Sequence, residues 1–165
     1  MPVLPPARLP GRYAVALVCL GNICRSPMAE VVLSAHLEQA GLAGTVEVAS
    51  AGTAGYHVGD PMDTRAAAEL TGAGYDATRH RARQFADAWL SSYDLVLAMD
   101  HDNLADLGGG NDRVMLFRDF DPVDPGADVP DPYYGGPRGF QEVLRMVERT
   151  STAIVAALQR ELATP

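Results

Sequence analysis

Residues 13–27 read YAVALVCLGNICRSP, and the fold turns on how this stretch divides. Tyr13 to Val18 is a short apolar run of the kind that forms a strand buried on both faces. At Cys19 it gives way to a loop, and the loop opens onto a helical pattern. Ser26 is placed to cap that helix, Pro27 suits its first turn, and apolar residues continue from Met28 to Leu37 before Gly41 stops it. The order strand, loop, helix puts the loop at a helix N-terminus, where unpaired backbone N–H groups and the helix dipole favour an anion.

The rest of the chain repeats this alternation. Strands are expected at Thr45 to Ala49, Asp94 to Met99 and near Val114 to Phe117. Helices are expected at about Met62 to Thr71, at residues 84–91, near His101 to Leu107, and from about Phe140 to Ala163. Alternating strands and helices predict a single α/β domain with a four-stranded parallel sheet covered by helices on both faces, and ligands bind such sheets at the carboxyl ends of the strands. The loop after the first strand lies at that end. A long segment dense in Asp, Pro and Gly, RDFDPVDPGADVPDPYYGGPRG at 118–139, separates the fourth strand from the last helix, and unstructured loops of this length in small domains are usually functional. Residues 1–12 are rich in Pro and Arg and are expected to form a loose, flexible tail, leaving 13–165 as the domain.

Composition removes several classes of activity. All 13 basic residues are Arg, so chemistry that needs a lysine amine, such as a Walker-type phosphate loop or a Schiff base, is excluded. A net charge of -8 with no basic stripe opposes nucleic-acid binding. Two cysteines make no disulfide framework and offer too few soft ligands for structural zinc, which points to a reducing compartment. No stretch approaches the length of a membrane span and the opening residues lack a signal-peptide run, so the expected location is the cytoplasm, with unconventional secretion left open.

The chemistry concentrates in Cys19-Leu20-Gly21-Asn22-Ile23-Cys24-Arg25-Ser26. The positive setting of a helix N-terminus favours a thiolate at Cys19, and thiolate is the nucleophile. Arg25 can grip two phosphate oxygens with its planar fork. Gly21 and Asn22 tolerate the left-handed backbone angles that turn amides inward around an anion, and Ser26 can hydrogen-bond the thiolate. Taken singly, Cys19 reads as a small buried hydrophobe and Arg25 as a surface charge; the eight residues together favour an anion-binding nucleophile loop. A proton donor is also needed, and on general grounds Asp119, Asp121, Asp124, Asp128 and Asp131 all remain open.

CLGNICRSPMAE at 19–30, SAGT at 50–53 and DPYYGG at 131–136 resemble the low-molecular-weight protein tyrosine phosphatases in motif, order and spacing, from Tyr13 to about Leu162. The resemblance implies hydrolysis of tyrosine-phosphorylated proteins through a phosphocysteine on Cys19, with Asp131 as general acid and then base, and with no cofactor or metal. It further implies a supporting network of Asn22, Ser26, Ser50 and His80, and pocket walls formed by Leu20, Ile23, Tyr56, Tyr133 and Tyr134. Tyr56 stands where many relatives carry Trp. Ile23 sets the chain apart from the phosphoarginine-directed branch, which has Thr there. Asp100, after the third strand, fits either the sheet's functional edge or a helix cap. Cys24 either packs under the loop or traps oxidised Cys19 as a disulfide, and the resemblance favours the trap.

Three rivals are weaker. An arsenate reductase on the same fold needs relay cysteines, and none follows Cys24. A catalytically dead phosphotyrosine-binding module is expected to lack the nucleophile or the acid. A magnesium-dependent phosphatase needs metal-ligand spacing that does not occur.

Overall fold

The computed structural model of the protein describes residues 2–163, so positions 164 and 165 of the expected domain lie outside the described residues. The elements run β1 (Tyr13–Cys19), α1 (Arg25–Gln39), β2 (Val46–Gly52), α2 (Thr64–Gly72), α3 (Trp89–Ser92), β3 (Leu95–Ala98), α4 (His101–Asp106), β4 (Val114–Leu116) and α5 (Pro137–Ala163). All four strands pair in parallel in the order β2-β1-β3-β4. The chain order reverses between β1 and β3, and that is where open α/β sheets bind ligands. The 19–25 loop leaves β1 at this point.

Side-chain alternation along β1 builds two cores. Tyr13, Val15, Leu17 and Cys19 face the larger one, which contains Met28, Leu33 and Leu37 of α1, Leu70 of α2, and Phe140, Val147, Ile154 and Leu158 of α5. Ala16 and Val18 face the other way, joining Val96 and Val114 beneath Phe85, Trp89, Tyr93, Leu104 and Leu107. Helices therefore cover both faces, and β1 reads as continuously apolar because both sides of it are buried. Leu33 is fully buried, and its truncation to Ala would cost about 2–5 kcal/mol.

Three local expectations are corrected. α1 starts at Arg25, with Cys24 at the cap position and no side-chain cap, so Ser26 is not a cap; its hydroxyl is used inside the loop. The helix expected at 84–91 is confined to Trp89–Ser92, because Gln84 bridges to Gly52 as a sheet extension. Residues 1–12 were expected to be loose, yet Leu4 is 7% exposed and joins the core. Tyr13 donates to Pro5 O at 2.8 Å, Arg8 N to Asp94 Oδ1 at 2.7 Å, and Arg113 to Pro6 O at 3.0 Å. A Pro-rich segment has few backbone donors of its own, but its carbonyls remain free to accept, and the domain's side chains use them.

Candidate active site

The 19–25 loop is held by its carbonyls. Thr53 N donates to Cys19 O at 2.9 Å, Ala54 N to Leu20 O at 3.0 Å, and Asp63 N to Ile23 O at 2.9 Å. His80 Nε2 lies 2.6 Å from Asn22 O, and since a carbonyl only accepts, Nε2 carries the proton. Carbonyls turned outward to these donors leave the N–H edges of the peptides for an anion. Gly52 makes the close approach possible: a Cβ there would sit 2.6 Å from Leu20 O.

Asn22 is the one non-glycine among the described residues with a left-handed backbone, φ 57°. Its side chain makes that conformation tolerable. Nδ2 donates to Ser26 Oγ and Ser50 Oγ, both at 2.9 Å, and Oδ1 accepts from Arg83 N at 3.0 Å. Ser26 Oγ accepts from Asn22 and lies 2.9 Å from Cys19 Sγ, with its own proton free to point to a thiolate there. Asn22 N approaches the same sulfur at 3.3 Å. Cys19 Sγ thus has the Ser26 hydroxyl and the Asn22 amide as neighbours in a buried site.

Arg25 is 3% exposed. NH1 donates to Asp100 Oδ2 at 2.5 Å and to Val129 O at 3.1 Å, while NH2 stands 3.6 Å from Asp131 Oδ2. Burial works against the guanidinium's charge, but Cys19, Asp100 and Asp131 outweigh it and raise its proton affinity further. Asp100 serves both ends it was read for: Oδ1 caps α4 through Asn103 N at 2.7 Å while Oδ2 fixes Arg25.

Cys19 and Arg25 form the buried end of a cavity of about 190 Å³. Leu20, Ile23, Tyr56, Tyr133, Tyr134 and Asp131 line it, with Tyr56 and Tyr134 at its exposed mouth. Cys24 also lines it, and burial, with Asp63 adding to it, pushes this thiol well above its ordinary range and keeps it protonated. Ser50 and His80 stand behind the loop, joined to Asn22. Burial lowers the proton affinity of His80, partly offset by its bond to Asn22 O. A wider cleft of about 900 Å³ between α1 and residues 74–83 holds His80 but neither Cys19 nor Arg25, so size alone does not mark the chemical centre.

Four residues of the site were not legible in the sequence. His57 lines the cavity, Arg83 braces Asn22, and Asp63 with Arg65 adjoin the loop and Tyr133. The Asp63-Thr64-Arg65 spacing is the one local signal that could have drawn attention to the last pair. Among the described residues no group of His, Cys, Asp and Glu could hold a metal ion, and no helix is long and apolar enough to cross a membrane.

Residues 14–164 match the model of the low molecular weight phosphotyrosine protein phosphatases. The low molecular weight protein-tyrosine-phosphatase of Streptomyces coelicolor is 48% identical over 158 residues, covering 91% of this chain and 96% of the relative. A protein tyrosine phosphatase from Entamoeba histolytica, solved with Hepes in the active site, superposes with TM-score 0.85 at 31% identity, covering 90% of this chain and 97% of that one. Wzb of Vibrio vulnificus, solved in complex with benzylphosphonate, superposes with TM-score 0.76 at 29% identity over 88% of this chain and 99% of that one. By the match over residues 14–164 and the identity to these relatives, the chain belongs to the low molecular weight phosphotyrosine protein phosphatase family.

Proposed function

We propose that this phosphatase hydrolyses phosphotyrosine in proteins through a phosphocysteine on Cys19. The thiolate attacks phosphorus, the bond from phosphorus to the phenolic oxygen breaks, and Asp131 gives its proton to that oxygen. Arg25 and the loop amides hold the equatorial oxygens where charge develops. Asp131, now a carboxylate, takes a proton from water as the water attacks phosphorus; the P–S bond breaks, phosphate leaves, and the thiolate and the acid are restored.

The observation that carries this reading is the convergence of the Asn22–Ser26–Cys19 hydrogen-bond relay with Arg25 and Asp131 on one small cavity. The cavity's buried polar end and aromatic mouth suit a phosphate held out on a ring rather than on a short serine side chain. The benzylphosphonate bound by Wzb of Vibrio vulnificus has the same division into aryl group and phosphorus oxyanion. Cys24 lies in the same cavity, where it captures oxidised Cys19 once its buried thiol gives up its proton.

The test is hydrolysis of phosphotyrosine, phosphoserine and phosphoarginine peptides without added metal, by wild type, Cys19→Ser and Asp131→Ala. Expected are turnover selective for phosphotyrosine, its abolition in Cys19→Ser, and a loss of about 10²–10⁴-fold in Asp131→Ala. Turnover that survives Cys19→Ser, or that requires metal, overturns the mechanism.

A further inference from the structure

Asp131 must reach the departing oxygen to within about 3 Å; the chain before it is held, with Val129 buried, its N–H on Met99 O at 2.7 Å and its carbonyl on Arg25 at 3.1 Å, but the chain after it is poorly anchored. Residues 133–138 are exposed, and the backbone bonds within the segment are internal: Gly135 N to Pro132 O at 3.0 Å and Gly139 N to Gly136 O at 3.1 Å. Tyr133 N turns back on Asp131 Oδ1 itself at 3.1 Å. The 3.6 Å approach of Asp131 to Arg25 is too long for a hydrogen bond.

Arg65 supplies a brace. Its guanidinium carbon lies 5.4 Å from the Tyr133 ring centroid and 4.8 Å from that of Phe140, within cation–π range of both. The same guanidinium donates to Asp63 through Nε at 3.2 Å and NH2 at 3.0 Å. Asp63 is itself fixed, since it caps α2 and its amide donates to Ile23 O in the nucleophile loop. A continuous route therefore runs from Ile23 through Asp63 and Arg65 to Tyr133, two residues from Asp131, with buried Pro132 as a stiff link between them.

We propose that Arg65 is a positioning residue that holds Asp131 over the nucleophile loop by gripping Tyr133 and Phe140 from the Asp63 anchor. The inference rests on the reading of Asp131 as proton donor. A purely stabilising role accounts poorly for the arrangement: the Arg65 side chain is 43% exposed, and an ion pair so open to water contributes little to folding.

The experiment compares kcat/KM for a series of aryl phosphates of graded phenol acidity. Good leaving groups need little protonation and poor ones depend on it, so displacement of the acid steepens the dependence, whereas general damage lowers every substrate alike. Expected is a shallow dependence in wild type, a steep one in Asp131→Asn, and an intermediate one in Arg65→Ala, with phenyl phosphate losing roughly tenfold and 4-nitrophenyl phosphate less than about twofold. Arg65→Met keeps an unbranched stem between the rings and guards against misfolding; it is expected to match Arg65→Ala, since it too loses Asp63. A steep Asp131→Asn beside Arg65 variants with the wild-type slope overturns the Arg65 role alone. A shallow Asp131→Asn overturns the acid assignment, and the Arg65 role with it.

Discussion

His80 donates through Nε2 to the carbonyl oxygen of Asn22 across 2.6 Å, so a half-buried histidine 58 positions away supports the left-handed residue of the nucleophile loop. Burial lowers the proton affinity of this imidazole in the folded state. On acidification the unfolded chain, whose histidine titrates at about 6.5, takes the proton first. The stability contribution is therefore complete above about pH 6.5 and is lost as pH falls through the lower folded value. His80→Gln, which keeps a donor for Asn22, is expected to lose less stability than wild type between about pH 7.5 and about pH 5.5 in urea titrations. Equal losses in the two proteins would sink this account.

Gly52 is expected to resist enlargement for reasons of space rather than backbone angle. A methyl group there would meet Leu20 O at 2.6 Å and the Gly21 carbonyl carbon at 3.1 Å, both backbone atoms of the loop. Gly52→Ala should cost about 1–3 kcal/mol and displace the loop, lowering kcat/KM by about tenfold or more. Gly44→Ala, where nothing lies within 4 Å, is the control and should match wild type in melting and turnover. Wild-type turnover in Gly52→Ala would mean the loop yields without consequence.

Acid sensitivity should also have a source far from the cavity. Asp121 is 1% exposed and is bound by Arg149 at 2.8 and 2.9 Å and by Arg118 at 2.9 Å. Burial alone would raise its pKa, but these bonds and the Val123 amide drive it well below the usual carboxylate range. That stability is present above the unfolded value of about 3.9 and is lost as pH falls through the folded one. Asp121→Asn leaves buried Arg118 with only the more distant, exposed Asp124 at 3.6 Å as counter-charge and should cost about 3 kcal/mol at neutral pH, with a flatter acid limb. Unchanged neutral stability in calorimetry would contradict this.

Peroxide should separate the two cysteines. Oxidation gives a sulfenic acid at Cys19, and condensation with the Cys24 thiol forms the disulfide and releases water, which a dithiol reductant reverses. Wild type is expected to regain most activity after peroxide and then reductant, whereas Cys24→Ser should regain clearly less as Cys19 passes to sulfinic acid. Equal recovery would leave Cys24 as packing beneath the loop.

The parts legible in the sequence are contiguous ones. YAVALV at 13–18 must be buried on both faces, and the Cys19-to-Arg25 spacing between a strand and a helix already describes an anion-binding loop. Those inferences need only backbone periodicity and the chemistry of adjacent residues, and the parallel sheet follows from alternation. Ser26 shows the limit. Its position suggested both a helix cap and a contact with Cys19; the packed loop sets its hydroxyl 2.9 Å from Cys19 Sγ and leaves α1 without a side-chain cap.

What the tertiary structure decided is the geometry that joins distant segments, of which the family resemblance implied some of the partners and no contact. Asn22 is held by Ser50, His80 and Arg83, and Arg25 by Asp100 and Val129. Residue chemistry left five aspartates open and the family resemblance implied Asp131; its distance of 3.6 Å from Arg25 comes from the fold. Leu4 and Arg8 are drawn onto the domain from a segment with no periodic pattern. The sequence by itself determined the strand, the loop chemistry and the alternation, because local sterics and burial act between neighbours along the chain. Partners tens of residues apart meet only when the sheet order and helix packing bring their ends together, and no local pattern records that meeting.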